Sequence, residues 1–224
     1  MPVLPALLFE ADTSEKVRDA LTVILAQNVQ EQKRLCEVAG VPPEEWDVRV
    51  YQERANPLQF FMQDSDRPVA AINVWYEGSA FDISKSQKFG KQATGGAFNI
   101  DVVGYGVSQD GADSTHVPGD EAAAKAAQKI AKFVRVVLDS PINKGLGLPV
   151  GAVQRQWVAS ITMSEPQNNG DSAVHAIAAR VRFEAAFFEF APDAPENPLC
   201  DFRVDILRAS DGAILAQSRF NYGG

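Results

Sequence analysis

The chain has 224 residues, of which 46% are hydrophobic and 22% charged, a balance typical of a globular domain with a substantial core. This length suits one large domain, or one domain with a small extension. A formal net charge of −8 argues against a protein that grips nucleic-acid phosphates, because such domains are usually basic.

Cysteine usage and the N-terminus indicate where the protein is made. Cys36 and Cys200 are far apart, which favours reduced cytosolic thiols over a disulfide framework, although a single bridge between them stays open. The N-terminal segment has no basic region, and Pro5 interrupts its short apolar run, unlike a signal peptide. No stretch reaches the roughly 18 apolar residues that cross a bilayer, so we expect a soluble product made in the cytoplasm.

The first predicted element is an amphipathic helix over residues 14–39. Asp12 or Thr13 can cap it, and Asp12 with Glu15 has the spacing of a capping box. Gly40, followed by two prolines, ends the helix. Apolar residues recur at three- and four-residue intervals and predict one buried stripe: Val17, Leu21, Ile24, Leu25, Val29 and Leu35.

Three strands are predicted in the next part of the chain. Residues 46–53 alternate apolar and polar side chains, as a half-buried strand does, and residues 69–76 form an apolar run typical of a central strand. Residues 97–107 alternate again. Gly104 and Gly106 near the end of this strand indicate a bulge or a close approach of another backbone.

A polar, glycine-bounded segment over residues 78–96 separates the second and third strands. It is longer than the usual connection inside a compact domain. We therefore expect a flexible loop that is either solvated or becomes ordered on contact with a partner. Three lysines in this segment are candidate interface residues: Lys85, Lys88 and Lys91.

A second helix is predicted from about Asp120, as the N-cap, to Leu138, and Ser140 with Pro141 ends it. Glu121 in the first turn suits the positive end of the helix dipole. The stripe expected to face the sheet is long and continuous: Ala123, Ala127, Ile130, Ala131, Val134, Val137 and Leu138.

Residues 172–190 alternate without a proline or glycine to break the run. As one strand they would span roughly 60 Å, several times the usual strand length. One interpretation is that this strand extends into the sheet of a second copy, which would cover its edge. The other is a bulged or bent strand that stays within one domain. Residues 154–164 also alternate and are predicted to form a long hairpin with this run.

The C-terminal part is predicted to form a short hairpin of its own. A proline-rich stretch leads into strands over residues 201–207 and 213–220, and an Asp-Gly pair between them is a strong hairpin signal. The succession of elements predicts an α+β fold, with two helices packed on an antiparallel-rich mixed sheet. We expect a domain over residues 1–192 and an extension over residues 193–224.

Few side chains suit catalysis or metal binding. His116 lies in a loop rich in proline, glycine and aspartate, and His175 has no cysteine, histidine or carboxylate at ligand spacing. Neither histidine accompanies a nucleophile elbow or a cysteine. The glycine-containing segments 104–111 and 145–151 lack the spacing of a phosphate-binding loop. We therefore expect no catalytic residues, no cofactor and no metal ion.

Arg180, Arg182 and Glu184 share one face of the long strand, because they lie two residues apart. The simpler interpretation is a solvated sheet face with cross-strand ion pairs. The alternative is a charged strip that faces a neighbouring subunit. That alternative makes these three residues interface candidates, together with the three lysines of the predicted loop.

The succession of elements over about residues 12–190 resembles phage tail-terminator proteins, the small α+β neck subunits that cap the tail tube beneath the head. Members of that family form rings, generally of six subunits, which stop polymerisation of the tail tube and join the tail to the head-completion proteins. The resemblance lies in the order of six segments and in their patterns of apolar and polar residues: TSEKVRDALTVILAQ, PVAAINVWY, FNIDVVGYGV, DEAAAKAAQKIAKFVRVVLDS, QWVASITMS and AVHAIAARVRFEAAFFEF.

The resemblance implies a structural virion protein of the tail or neck, made in the host cytoplasm, and not an enzyme. The implied partners are other copies of the chain, the tail tube protein and the head-completion proteins, with the sheath as a further partner if the tail is contractile. Viral DNA would pass through the lumen of the ring without specific binding, and no membrane is involved. Residues 196–224 lie outside the shared pattern.

Two alternatives stay open. Another neck, collar or sheath-contacting ring protein would share the same order of elements. A small-molecule enzyme or binding module on an α+β sheet is the other alternative. It would hold Glu184 or His175 in a deep apolar pocket.

Overall fold

A computed structural model of the chain describes residues 11–54, 68–82, 84, 91–110, 116–164, 174–190, 201–207 and 214–221. Its helices are α1 (Thr13–Ala39) and α2 (Gly119–Asp139), with short 3-10 helices at Pro43–Trp46 and Pro141–Gly147. Its strands are β1 (Val48–Gln52), β2 (Ala70–Asp82), β3 (Lys91–Val107), β4 (Gln109–Asp110), β5 (His116–Val117), β6 (Val153–Met163), β7 (Val174–Phe190), β8 (Asp201–Leu207) and β9 (Ile214–Asn221). The chain divides into a larger compact unit, residues 11–189, and a smaller unit that contains β8 and β9.

Five strands of the larger unit form one mixed sheet in the order β1-β2-β3-β7-β6. β1 runs parallel to β2, whereas the β2–β3 and β6–β7 pairs are antiparallel. Both α-helices pack on the same face, because their buried residues share one core cluster with the inward-facing residues of the sheet. The predicted α+β class, with helices packed on a mixed sheet, is confirmed.

β8 and β9 form a two-stranded antiparallel sheet that is separate from the five-stranded one. The pairing runs from Asp201 opposite Asn221 to Leu207 opposite Ile214. The Asp-Gly turn predicted between the two strands lies outside the described residues.

The start of α1 is held both by its own cap and by the end of β7. Asp12 and Glu15 form the predicted capping box, in which each carboxylate accepts a hydrogen bond from the backbone N–H of the other residue. The carboxylate of Glu189 accepts hydrogen bonds of 3.0 Å from the backbone N–H groups of Thr13 and Ser14. Negative charge is favourable at this end of a helix, so Glu189 ties α1 to the sheet.

The rest of α1 matches the predicted stripe except near its end. Gly40 adopts the left-handed conformation expected of a helix-ending glycine, with φ at 67°. Leu35, predicted in the buried stripe, is 43% exposed, because the last turns of α1 project beyond the core. Four residues of the stripe are fully buried: Val17, Leu21, Leu25 and Val29.

α2 lies directly against β3, and two glycines make this approach possible. A Cβ atom on Gly104 would lie 2.3 Å from the carbonyl oxygen of Ala123, and one on Gly106 would lie 2.1 Å from that of Gly119. Both distances are well inside van der Waals contact, so the close backbone approach predicted at these glycines is confirmed. The predicted stripe of α2 is buried throughout: Ala123, Ala127, Ile130, Ala131, Val134, Val137 and Leu138.

The start of α2 differs from the prediction. The helix begins at Gly119, with Pro118 at the cap position and no side-chain cap. Pro118 is in an extended conformation (ψ 142°), which sets the boundary two residues earlier than expected. Asp120 is therefore inside the first turn, where it accepts a hydrogen bond from the N–H of Glu121. Its charge still lies at the positive end of the helix dipole.

The first predicted strand is shorter than expected. Trp46 belongs to a 3-10 helix, and its ring packs edge-on against Phe133 of α2 at a centroid distance of 5.0 Å. β1 begins two residues later, at Val48. The alternating pattern includes Trp46 in the predicted strand, although this side chain packs against a helix.

The predicted loop over residues 78–96 is mostly strand. β2 continues to Asp82 and β3 begins at Lys91, and the two strands stay paired over this region. Only residues 83–90 remain for the connection. Of these, 83 and 85–90 lie outside the described residues, so two of the three candidate lysines, Lys85 and Lys88, do as well.

The glycines that suggested a loop instead serve the sheet. Gly78, with φ at 152°, sits at a β-bulge opposite Ala97. A Cβ atom on Gly96 would lie 2.7 Å from the ring of Phe187, so the small residue leaves room for an aromatic side chain of the core. Both roles depend on neighbours that are distant in sequence.

β7 is an unbroken strand of 17 residues and lies inside the sheet, between β3 and β6. Its pairing with β6 runs from Ala179 to Phe187, so over this stretch its backbone needs no strand from a second copy. β3 matches it in length, also with 17 residues. The sequence left open whether residues 172–190 extend into a second copy or stay within one domain. For the residues of β7 that pair with β6, the strand stays within one domain. Among the described strands, the sheet ends in β6 on this side and in the five-residue β1 on the other.

The contact between α2 and β3 can be tested with matched glycine substitutions. Gly104→Ala places a methyl group against the backbone of α2, and we expect the free energy of unfolding to fall by about 1–3 kcal/mol. Gly95→Ala is the control, because the nearest atom to its Cβ would be 4.0 Å away. Urea unfolding followed by circular dichroism measures both. Equal stability of the two variants would contradict the close approach.

Candidate functional site: the outer sheet face and the β6 edge

The face of the five-stranded sheet opposite α1 and α2, here called the outer face, carries a row of charged residues. Alternation along each strand points every second side chain away from the core. We call five of these outer-face residues the charged strip: Glu77, Asp101, Arg180, Arg182 and Glu184. It contains the three interface candidates that the sequence identifies on the long strand: Arg180, Arg182 and Glu184.

The first part of the charged strip joins β2, β3 and β7. The Asp101 carboxylate accepts hydrogen bonds from Arg180 Nε at 2.7 Å and Nη2 at 3.1 Å, and from Trp75 Nε1 at 2.9 Å. The Arg180 guanidinium also lies over the Trp75 ring, 5.1 Å from its centroid. The hydrogen bond to Asp101 raises the pKa of Arg180 above the ordinary value of a guanidinium. Asp101 is thus supplied with donors from both neighbouring strands.

The second part joins β7 to β2 across β3. Arg182 donates from Nη1 to Glu77 at 2.8 Å and from Nε to Glu184 at 3.1 Å. The hydrogen bond to Glu184 and the charge of Glu77 raise the pKa of Arg182. These pairs fit the interpretation of a sheet face with cross-strand ion pairs. All members stay partly open to solvent, with Glu184 33% exposed.

A groove of about 440 Å³ runs beside Arg182. Its walls include Glu77, Glu184 and Trp157. Its floor is made of small residues, so backbone lies close to the surface there: Gly78, Ser79, Ala80, Gly95, Gly96, Ala97 and Ala185. The guanidinium of Arg182, which lines this groove, is already paired with the carboxylates of Glu77 and Glu184.

The sequence missed two members of the charged strip, Asp101 and Glu77. The alternation of residues 97–107 predicts that Asp101 lies on the polar face of its strand. It does not predict that Asp101 meets Arg180, because that contact depends on the pairing of strands that are distant in sequence. The third candidate lysine, Lys91, is the first residue of β3. It lies ten residues before Asp101 on the same strand.

The structure does not bring Glu184 and His175 together. Glu184 lies on the outer face, whereas the His175 ring lies against the start of α2, where a Cβ atom on Gly119 would be 2.4 Å from His175 Cδ2. They are nine positions apart along β7, or about 30 Å. Among the described residues, no group of three or more histidine, cysteine, aspartate or glutamate side chains could hold a metal ion. Likewise, no described helix is long and apolar enough to span a membrane.

The outer edge of β6 is unpaired within the described part of the chain. β6 is the last strand in the sheet order and has eleven residues, with β7 on its other side. Most of its side chains are exposed, and Trp157 and Ile161 are large apolar residues that are 42% and 40% exposed. Gln154 and Ala159 have no partner residue on β7, so two bulges divide the strand.

A second groove, of about 590 Å³, flanks the first half of this edge. The segment before β6 forms one wall, with Val150 fully exposed at its tip. Lys144 and Arg155 contribute positive charge to its lining, and Trp157 contributes an aromatic side chain. The edge thus combines free backbone groups, apolar surface and two cations in a chain that is acidic overall.

Models of known protein families do not match this chain, and a search of curated proteins finds no relative.

The charged strip can be tested at Asp101. Asp101→Asn removes the charge that Arg180 faces, and we expect the free energy of unfolding to fall by about 1 kcal/mol. The loss should shrink at about 1 M salt, where the Debye length is roughly 3 Å. Urea unfolding at two salt concentrations measures this. Glu31→Gln, which breaks the exposed pair with Arg34 on α1, is the control. A loss that is independent of salt would contradict an ion pair at this site.

Proposed function

We propose that the protein is a structural virion subunit that forms a ring, of about six copies, at the head-proximal end of a phage tail. In that position it would end polymerisation of the tail tube and join the tail to the head-completion proteins. A different neck or collar ring, or one that contacts the sheath of a contractile tail, is the nearest alternative. All of these roles require the chain to associate with copies of itself.

The observation that carries the proposal is the unpaired edge of β6. A free strand edge presents N–H and C=O groups that pair readily with another strand. Monomeric proteins protect such edges with short strands, proline, charged side chains or bulges. β6 has eleven residues and no proline or lysine, and its protection consists of Arg155 and two bulges. Its two bulges still leave two straight stretches, Arg155–Val158 and Ser160–Met163. A second copy of the chain is a partner that could pair along these stretches.

The charge of the chain supports a subunit around a DNA channel. The net charge of −8 opposes the release of counterions that drives proteins onto DNA, so DNA could slide past such a ring without being held. The cations of the charged strip do not alter this balance, because Arg180 and Arg182 are paired with carboxylates of the same molecule.

The proposal predicts a defined oligomer. Native mass spectrometry should detect a species of about 146 kDa, six times the 24.3 kDa of one chain, at high protein concentration or with tube protein added. Negative-stain microscopy of the same sample should show closed rings. Compact monomers under all of these conditions would contradict the proposal.

The role of the β6 edge can be tested at Ala159. Because Ala159 sits at a bulge, proline there should leave the pairing with β7 intact, but it should prevent a new strand from continuing along the edge. We expect Ala159→Pro to lower the oligomer fraction at least tenfold, with an unchanged circular dichroism spectrum, and Ala159→Ser to assemble normally. A folded Ala159→Pro variant that still forms the full oligomer would show that β6 is not the contact.

A further inference from the structure

We infer that the outer edge of β6 in one copy pairs with β1, the opposite edge of the five-stranded sheet, in the next copy. This inference rests on the proposed function, because it names the surface through which each subunit of the ring receives its neighbour. The occupant of the β6 edge is then a second copy of this chain, and the sheet continues from one copy into the next.

A head-to-tail contact needs two different surfaces on each molecule. Contacts of this kind generate rings when their rotation closes, so in a ring β6 meets a surface other than β6 itself. Among the described strands, β1 and β6 are the two ends of the sheet, and no described strand pairs with the outer side of either. Both strands belong to the larger compact unit. Every copy therefore offers one edge of each kind.

The outer side of β1 borders a groove of about 790 Å³. Residues 47–51 all line it, so the groove follows the whole edge of the strand. Its other wall is α1, which contributes Ala26 and Val29 among others. A strand added to a sheet lies about 4.8 Å from its neighbour. A strand that pairs with β1 would therefore occupy this groove and be covered by α1.

The apolar side chains of the two edges match in their spacing. Val48 and Val50 of β1 lie two residues apart and contact the main core. Ile161 and Met163 of β6 have the same spacing and the same side of the sheet, because their partners on β7 are buried in that core. Ile161 is 40% exposed on its own molecule. Pairing with β1 places it in the groove beside α1, which supplies the apolar contact that fixes the register.

Polar residues and charge do not oppose the contact. Ser160 and Thr162 lie on the outer face of β6, as Arg49 and Tyr51 do on β1, so each polar row continues across the junction. The groove beside β1 is lined by two acids and two arginines: Glu31, Asp47, Arg34 and Arg49. The β6 stretch Ser160–Met163 contains no charged residue. The two strands therefore bring no like charges together, although each copy carries a net charge of −8.

The lengths of the two edges also suit each other. β1 has five residues, and the bulge at Ala159 limits β6 to straight stretches of four. The stretch Ser160–Met163 is the better placed, because the segment before β6 borders the other stretch as a wall of its groove. A strand as short as β1 is protected from non-specific pairing. Its contact with β6 therefore depends on the added burial of Ile161 beside α1.

Cross-linking between two differently tagged full-length chains tests the inference. Both chains carry Cys36→Ser and Cys200→Ser, so that each has a single thiol. The first adds Thr162→Cys on β6, and the second adds Arg49→Cys on β1, with Gln52→Cys as a second β1 position. After co-expression, a short bis-maleimide should yield the mixed covalent dimer. The control replaces Thr162→Cys by Gln128→Cys, on the exposed side of α2, and we expect at least tenfold less mixed dimer from it.

Native mass spectrometry of the same samples makes each outcome decisive. Mixed dimer specific to the β1 and β6 thiols supports the inference. Its absence in a sample that still contains the ring overturns the inference but leaves the proposed function standing, whereas its absence in a sample of monomers alone overturns both. A covalent dimer formed by the Thr162→Cys chain alone would show that two β6 edges meet each other, and this result also overturns the inference.

Discussion

The close packing of α2 on the backbone of β3 is the contact on which the rest of the larger unit depends. Gly104 and Gly106 leave no side chain between the helix and the strand, so seven apolar residues of α2 reach the sheet at once. β3 is the central strand of five, and this contact therefore fixes which face of the whole sheet is covered. α1 joins the same face, with its start held by Glu189 at the end of β7.

One-sided packing leaves the outer face and the edges to be satisfied by other means. On the outer face, Asp101 with Arg180, and Arg182 with its two glutamates, neutralise one another across three strands. A strip that is already paired within the molecule offers a partner little net charge. The β6 edge differs, because no described strand pairs with the backbone N–H and C=O groups on its outer side. We therefore place the proposed contact between copies at the edge rather than on the charged strip.

The parts of the fold that depend on local chemistry could be predicted from the sequence. The capping box of Asp12 and Glu15 and the buried stripe of α2 follow from spacings within a few residues. Gly104 inside an alternating run indicated a bulge or a close backbone approach, but not that α2 is the neighbour. The failures share a different cause. Gly78 and Gly96 suggested a loop, but a bulge partner and the Phe187 ring explain them. The order of strands in the sheet, which puts β7 inside and β6 at the edge, is set by pairing between distant segments, and single-sequence patterns carry little of that information.

The acidity of the chain constrains how copies of it could meet. Subunits with a net charge of −8 repel one another at long range, although at physiological ionic strength the repulsion decays over roughly 8 Å. Attraction must therefore come from short-range contacts. Backbone hydrogen bonds along β6 and burial of Trp157, Ile161 and Val150 have that range and are insensitive to net charge. Such contacts form only when two copies are already aligned. If the proposed function holds, a tube end that presents the subunits side by side would promote the proposed ring, whereas free subunits in dilute solution would stay apart.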